Sequence, residues 1–100
     1  MTSVRQLPEI ALQLKPATAS GEAAIGFRWA DGNIGLRSKI GGLPNWIQGE
    51  EIPICSCGNP MSFYGQLDSV GDSICIADCG MIYTFVCFDC FTSASVLQSY

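Results

Sequence analysis

Alternation with a period of two recurs along the chain, and a helical period does not. Ile10, Leu12 and Leu14 share one side of a segment whose other side carries Ala11, Gln13 and Lys15. Ile25, Phe27 and Trp29 alternate in the same way with Gly26 and Arg28. Both segments read as strands. KPATASGEA between them has the Pro, Ser and Gly content of an exposed loop, and ADGN after them holds the Asp-Gly pair of a tight hairpin turn, which places Trp29 and Ile34 near the ends of a hairpin.

Gly41, Gly42, Pro44, Gly49 and Pro53 interrupt SKIGGLPNWIQGEEIP, so it reads as an ordered loop pinned by Leu43, Trp46 and Ile47. Further on, Phe63 to Leu67, Ser73 to Ala77 and Met81 to Val86 are short runs rich in strand-forming residues, separated by DSVGD and DCG. They suit an antiparallel meander. MIYTFV, apolar on both faces, predicts the most central strand, and FTSASVLQSY fits either a short terminal helix or a last strand. The expected fold is therefore mostly β, a small antiparallel sheet or meander with little helix. One domain over residues 1–100 is expected, since that length leaves little room for a second core.

Composition sharpens this picture in two ways. With 48% hydrophobic and 14% charged residues, the chain has the make-up of a packed domain rather than a disordered one. The net charge is −4 and only five cations are present, so there is no basic face to neutralise a row of phosphates or to bind an anionic membrane surface. Nucleic acid and membrane are not expected as partners. MTSVRQLPEIALQLKP lacks the continuous apolar core of a secretory signal, and no run approaches the roughly 20 apolar residues that span a bilayer, which predicts a cytoplasmic address.

In a reducing compartment the six cysteines become candidate metal ligands or buried thiols, with disulfides as the lesser alternative. Cys55-Ser56-Cys57 and Cys87-Phe88-Asp89-Cys90 form two close pairs. If each pair sits at a strand end, the strands between them can fold back and bring four thiolates together, the ligand set of a zinc-ribbon-like site of four cysteines. Soft thiolates without histidine select Zn2+ over magnesium or calcium, and iron can take the same ligands. The alternative is four buried thiols acting as small hydrophobes in a metal-free structural domain. Cys75 and Cys79 read as structural, with Cys79 able to replace one ligand if the tight Cys-x-Cys pair cannot supply both sulfurs.

Catalysis has little to draw on. The chain has no histidine to act as general base, and four thiolates would fill the coordination sphere of a zinc ion. Glu50 with Glu51, and Asp68 with Asp72, read as solvated charge. A non-enzymatic role is expected.

The succession Gly41-Gly42-Leu43-Pro44-Asn45-Trp46, then Cys55-Ser56-Cys57-Gly58-Asn59-Pro60-Met61-Ser62-Phe63 with Gln66, then Tyr83-Thr84-Phe85-Val86-Cys87, resembles the zinc-associated domain of the programmed cell death protein 2 family. It is also similar to bacterial YwqG-like proteins. The resemblance spans roughly residues 40–90 and implies a mostly β fold with a protein-binding, chaperone-like role, since the eukaryotic relatives are associated with escorting a newly made ribosomal protein. The expected function is thus a protein-interaction module built around structural zinc, with Trp46, Ile47, Glu50 and Glu51 as a contact surface for a basic protein partner. In the competing reading, Trp46 plugs the chain's own core. An immunity or antitoxin-type inhibitor of a basic protein is the alternative function.

Overall fold

A computed structural model describes residues 4–29 and 32–100. Five strands, β1 (Ile10–Ala11), β2 (Lys39–Ile40), β3 (Ser62–Asp68), β4 (Met81–Val86) and β5 (Ser93–Gln98), form one sheet in the order β1-β2-β3-β4-β5, with every neighbouring pair antiparallel. This is the expected meander. The last ten residues contribute a strand and not a helix.

The body of the sheet is β3, β4 and β5. Their register stacks Phe63, Phe85 and Ala94 in one row, Gln66, Tyr83 and Val96 in the next, and Asp68, Met81 and Gln98 in a third. These rows share one face, because side chains alternate along a strand and a bulge between Phe63 and Gly65 resets the phase of β3. Met81, Tyr83 and Phe85 are almost fully buried, whereas Ile82, Thr84 and Val86 on the reverse face are half-buried. MIYTFV is therefore amphipathic in its setting. The middle position of the sheet belongs to β3, and β4 beside it supplies most of the core.

Among the described residues, no second sheet covers that face. The loop from Leu43 to Cys55 does so, with Trp46 and Ile47 packed on the cluster of Cys55, Met61, Phe63, Met81, Tyr83, Phe85 and Cys87. Buried polar side chains of the strands hold this loop by its main chain. Gln66 Oε1 accepts from the Asn45 N–H at 3.1 Å, and its Nε2 donates to the Arg37 carbonyl at 2.7 Å and to Asn45 Oδ1 at 2.9 Å. The Tyr83 hydroxyl donates to the Asn45 carbonyl at 2.7 Å. Gln98 Oε1 accepts from the Ile47 and Gln48 N–H groups at 3.0 and 2.8 Å, while its Nε2 donates to the Gly49 carbonyl and to Glu51 Oε1. Loop amides that burial would leave without water thus find partners in the sheet. At the start of the loop, Gly41 has φ 76°, and a Cβ there would collide with the Pro8 carbonyl oxygen.

At the end of β3 an ion pair fastens the segment that leads into β2. Arg37 Nη2 lies 2.7 Å from Asp68 Oδ1 and Nε lies 2.9 Å from Oδ2, the two-pronged geometry that suits a guanidinium. Asp68 Oδ2 also accepts from the Gly35 and Arg37 N–H groups at 2.7 and 3.0 Å. Hydrogen bonding to Asp68 outweighs burial and holds the Arg37 guanidinium above its already high ordinary pKa.

Elsewhere the structure departs from the expected elements. Of the segment from Ile10 to Lys15 only Ile10–Ala11 pairs as a strand, and Ile10, Leu12 and Leu14 are all exposed. Residues from Ile25 to Trp29 form no strand beyond an isolated bridge between Gly26 and Gly71, because no neighbouring strand offers them a ladder. The turn expected at ADGN involves Ala30 and Asp31, which lie outside the described residues, and the segments flanking it are not paired strands.

KPATASGEA is not all loop, since Ala19–Ala24 forms a helix, α1. Thr18 caps it by accepting the Gly21 N–H at 3.0 Å, and Glu22 lies in the first turn, where an acidic side chain favours the exposed N–H groups. Ser73 to Ala77 is a 3-10 turn at Asp72–Ile74 followed by a tight turn, with Ala77 and Cys79 both at φ 53°. The 3-10 turn and the positive φ at Ala77 break the extended conformation that the alternation suggests.

Candidate metal centre

Two turns at one end of the sheet carry the paired cysteines. The first joins Pro53 to Met61, where the Met61 N–H donates to the Pro53 carbonyl at 2.9 Å and the Cys55 N–H to the Asn59 carbonyl at 2.8 Å. Gly58, with φ 93°, closes it by donating to the Cys55 carbonyl at 2.8 Å. That conformation suits glycine, and it bends the chain tightly enough for Cys55 and Cys57, only two positions apart, to point the same way. The second turn links β4 to β5, with Cys87 N–H donating to the Thr92 carbonyl at 2.9 Å and Phe91 N–H to the Cys87 carbonyl at 2.7 Å. Phe91 takes the left-handed position at φ 55°, a strained conformation for a residue with a Cβ.

Because the register sets Ser62 opposite Val86 and Val86 opposite Ser93, both turns emerge at the same end of the sheet. The sulfurs of Cys55, Cys57, Cys87 and Cys90 all lie within 4.8 Å of one another. Cys57 Sγ and Cys87 Sγ are 3.8 Å apart. Four thiolates arranged tetrahedrally around zinc, at about 2.3 Å from the metal, stand about 3.8 Å from one another. The cluster therefore fits a four-coordinate metal ion. Cys55 and Cys87 are buried in the core, and Cys57 and Cys90 face solvent.

The electrostatics of the cluster favour a cation. The Cys57 N–H and the Thr92 hydroxyl, the latter 3.4 Å from the sulfur, lower the Cys55 thiol to about 6. Cys90, crowded first by Cys57 and then by Cys55, is pushed up to about 12. At Cys57 the Asn59 N–H favours the thiolate, but the neighbouring Cys55 and desolvation prevail and the net shift is upward. The Cys55 thiolate forms readily, and its presence favours the protonated forms of Cys57 and Cys90 until a divalent ion binds.

Metal uptake at neutral pH is therefore expected to release at least two protons per chain, from Cys57 and Cys90. A weakly buffered metal titration read with a pH indicator measures this, and uptake without acidification would show that these thiols are not ligands. The sign for the bound state follows, because ligands held as thiolates stabilise the fold at neutral and higher pH and that contribution is lost as acid reprotonates them.

Cys79 does not stand in for any of the four. Cys75 and Cys79 lie at the opposite end of β4, before Met81, and the Cys79 N–H donates to Cys75 Sγ at 3.4 Å. Two supports escaped sequence reasoning: Thr92 beside the Cys55 sulfur, and the bond of 3.1 Å from Asn59 Nδ2 to Asp89 Oδ2 that ties one turn to the other. Asn59 belongs to the CSCGN motif, but only the folded register shows that Asp89 faces it.

The contact surface expected at Trp46, Ile47, Glu50 and Glu51 divides. The Trp46 ring lies 4.8 Å from that of Tyr83 and 5.9 Å from that of Phe85, with the latter pair stacked, so Trp46 packs one side against the core while staying partly exposed. Ile47 packs on the same cluster. Glu50 and Glu51 remain exposed.

No family model matches the chain, and no solved structure matches it. A protein of Salmonella typhimurium described as uncharacterized protein YpfL is 36% identical over 62 residues, a match covering 61% of this chain. The chain spans 15% of the length of that relative. Among the described residues, no helix is long and apolar enough to cross a membrane. The chain is a mostly β protein whose four clustered cysteines are compatible with a structural metal site.

Proposed function

We propose that this chain is a non-enzymatic protein-interaction or chaperone-like module of a reducing, cytoplasmic compartment, organised by a structural zinc ion on Cys55, Cys57, Cys87 and Cys90. The convergence of four thiols at tetrahedral spacing carries the reading. Zinc is the metal favoured by an all-thiolate set, and full coordination by protein leaves no open position for a substrate. The motif resemblance to the zinc-associated domain of the programmed cell death protein 2 family supports the same role. Exposed Glu50 and Glu51 on a chain of net charge −4 favour a basic protein as partner.

Elemental analysis of folded, reduced protein purified without added metal tests the centre. One equivalent of zinc per chain is expected. A clearly substoichiometric content in a folded sample would exclude a structural ion, and iron in place of zinc would revise its identity.

A further inference from the structure

The β4–β5 hairpin places β5 at one edge of the sheet formed by the described residues. Which of its backbone groups remain open follows from the hydrogen-bond phase. The Cys87 N–H donates to the Thr92 carbonyl at 2.9 Å, so the closely bonded pairs continue two residues at a time through Phe85–Ala94, Tyr83–Val96 and Met81–Gln98. Ser93, Ser95 and Leu97 accordingly direct their N–H and carbonyl groups away from β4. The next carbonyl on that edge, of Ser99, is taken by Gln48 Nε2 at 2.7 Å, which limits the open stretch to the span from Ser93 to Leu97.

Sheet edges of soluble proteins are ordinarily guarded by charge, proline or a bulge. SASVLQ has no charge and no proline, and its pairing with β4 runs without a bulge. On the face turned away from the covering loop, the register aligns Leu67, Ile82 and Leu97 in a row that reaches this edge, with Leu67 and Leu97 more than half exposed.

We propose that β5 is a dimer edge, on which a second copy of this chain pairs antiparallel about a two-fold axis at Ser95. In that register Ser95 meets its own counterpart, Ser93 lies opposite the second copy's Leu97, and Ala94 lies opposite the second copy's Val96. Small residues meet large ones on both faces, no like charges are opposed, and each copy satisfies the open backbone groups of the other. The Leu97 end of the apolar row gains a neighbour across the axis. A foreign strand would be selected by side-chain pockets or charge at alternate positions, and the two serines and one leucine facing this edge provide neither. The inference rests on the strand register and not on the metal centre, so metal content tests the centre and molecular mass tests the dimer edge.

The test is the mass of the metal-loaded full chain by light scattering and sedimentation across the micromolar range. The wild type is expected at twice the chain mass of 10.7 kDa, and Ser95→Pro at the single mass. Proline is tolerated there because the Ser95 N–H points away from β4 and makes no ladder bond among the described residues. Ser95→Lys gives a second route to the monomer by opposing like charges at the axis, with its fold verified by circular dichroism and metal content. A wild type that stays at one chain mass throughout overturns the proposal, whether or not a foreign strand is later found on the edge. A dimer that survives both substitutions overturns it equally.

Discussion

Cys87→Ser is expected to leave the chain largely unfolded at ordinary temperatures. Zinc on four thiolates contributes on the order of 10 kcal/mol to folding at neutral pH. A domain of this size has a net stability of about 5–15 kcal/mol, so losing a ligand removes most of it. Cys87 is doubly placed, since it ends β4 and belongs to the core cluster that Trp46 covers. Chelation of the wild type should have a comparable effect. Cys75→Ala is the control, because that half-buried thiol lies outside the cluster and should cost only about 1 kcal/mol. Circular dichroism and denaturant titration with and without chelator read all three samples. Equal losses at Cys75 and Cys87, or an unchanged midpoint after verified metal removal, would show that the centre does not support the fold.

Asp68→Ala should cost about 3–5 kcal/mol in the metal-loaded protein. The substitution takes the carboxylate from a guanidinium that is largely withdrawn from solvent, leaving it the Cys79 carbonyl, and it strips the Gly35 and Arg37 N–H groups of their acceptor. Tyr100 retains Arg37 Nη1 at 3.0 Å, but a phenol does not replace a carboxylate. The comparison is Arg28→Ala, which removes the pair of Arg28 with Asp72 at 3.8 Å on a side chain that is 93% exposed and should change stability by no more than about 0.5 kcal/mol. Urea denaturation of the two variants separates the cases. Similar midpoints would mean that the Arg37–Asp68 pair is worth no more than a surface contact.

The strands Ser62–Asp68 and Met81–Val86 were readable because burial and pattern largely agree there. Met81, Tyr83 and Phe85 alternate and are buried in alternation, and the cysteine pairs flank the strands that bring them together. Earlier in the chain the same alternation misleads. Ile25, Phe27 and Trp29 have the spacing of a strand, yet nothing pairs with them, and periodicity records which side a residue would face without recording whether a neighbour exists. The six-residue helix at Ala19–Ala24 rests on one threonine cap, too local a signal to stand out in a stretch holding Pro16 and Gly21. Gln66, Asp68 and Gln98 occupy inward positions where the pattern predicts apolar residues. Most of their partners are main-chain atoms of distant loops, and a backbone amide leaves no trace in the identity of the residue that carries it.

That last feature reverses the usual allocation of sequence constraint between strands and loops. The cover over the sheet is recognised through the main chain of Asn45, Ile47, Gln48 and Gly49, atoms that almost any residue would supply. Side chains in the loop that point to water can therefore drift freely. The strand residues Gln66 and Gln98 cannot, because even leucine, a good fit for the volume, would leave loop amides facing a hydrocarbon. Exchange of either glutamine for an apolar residue of similar size would make the molecule more hydrophobic and less able to keep its core closed.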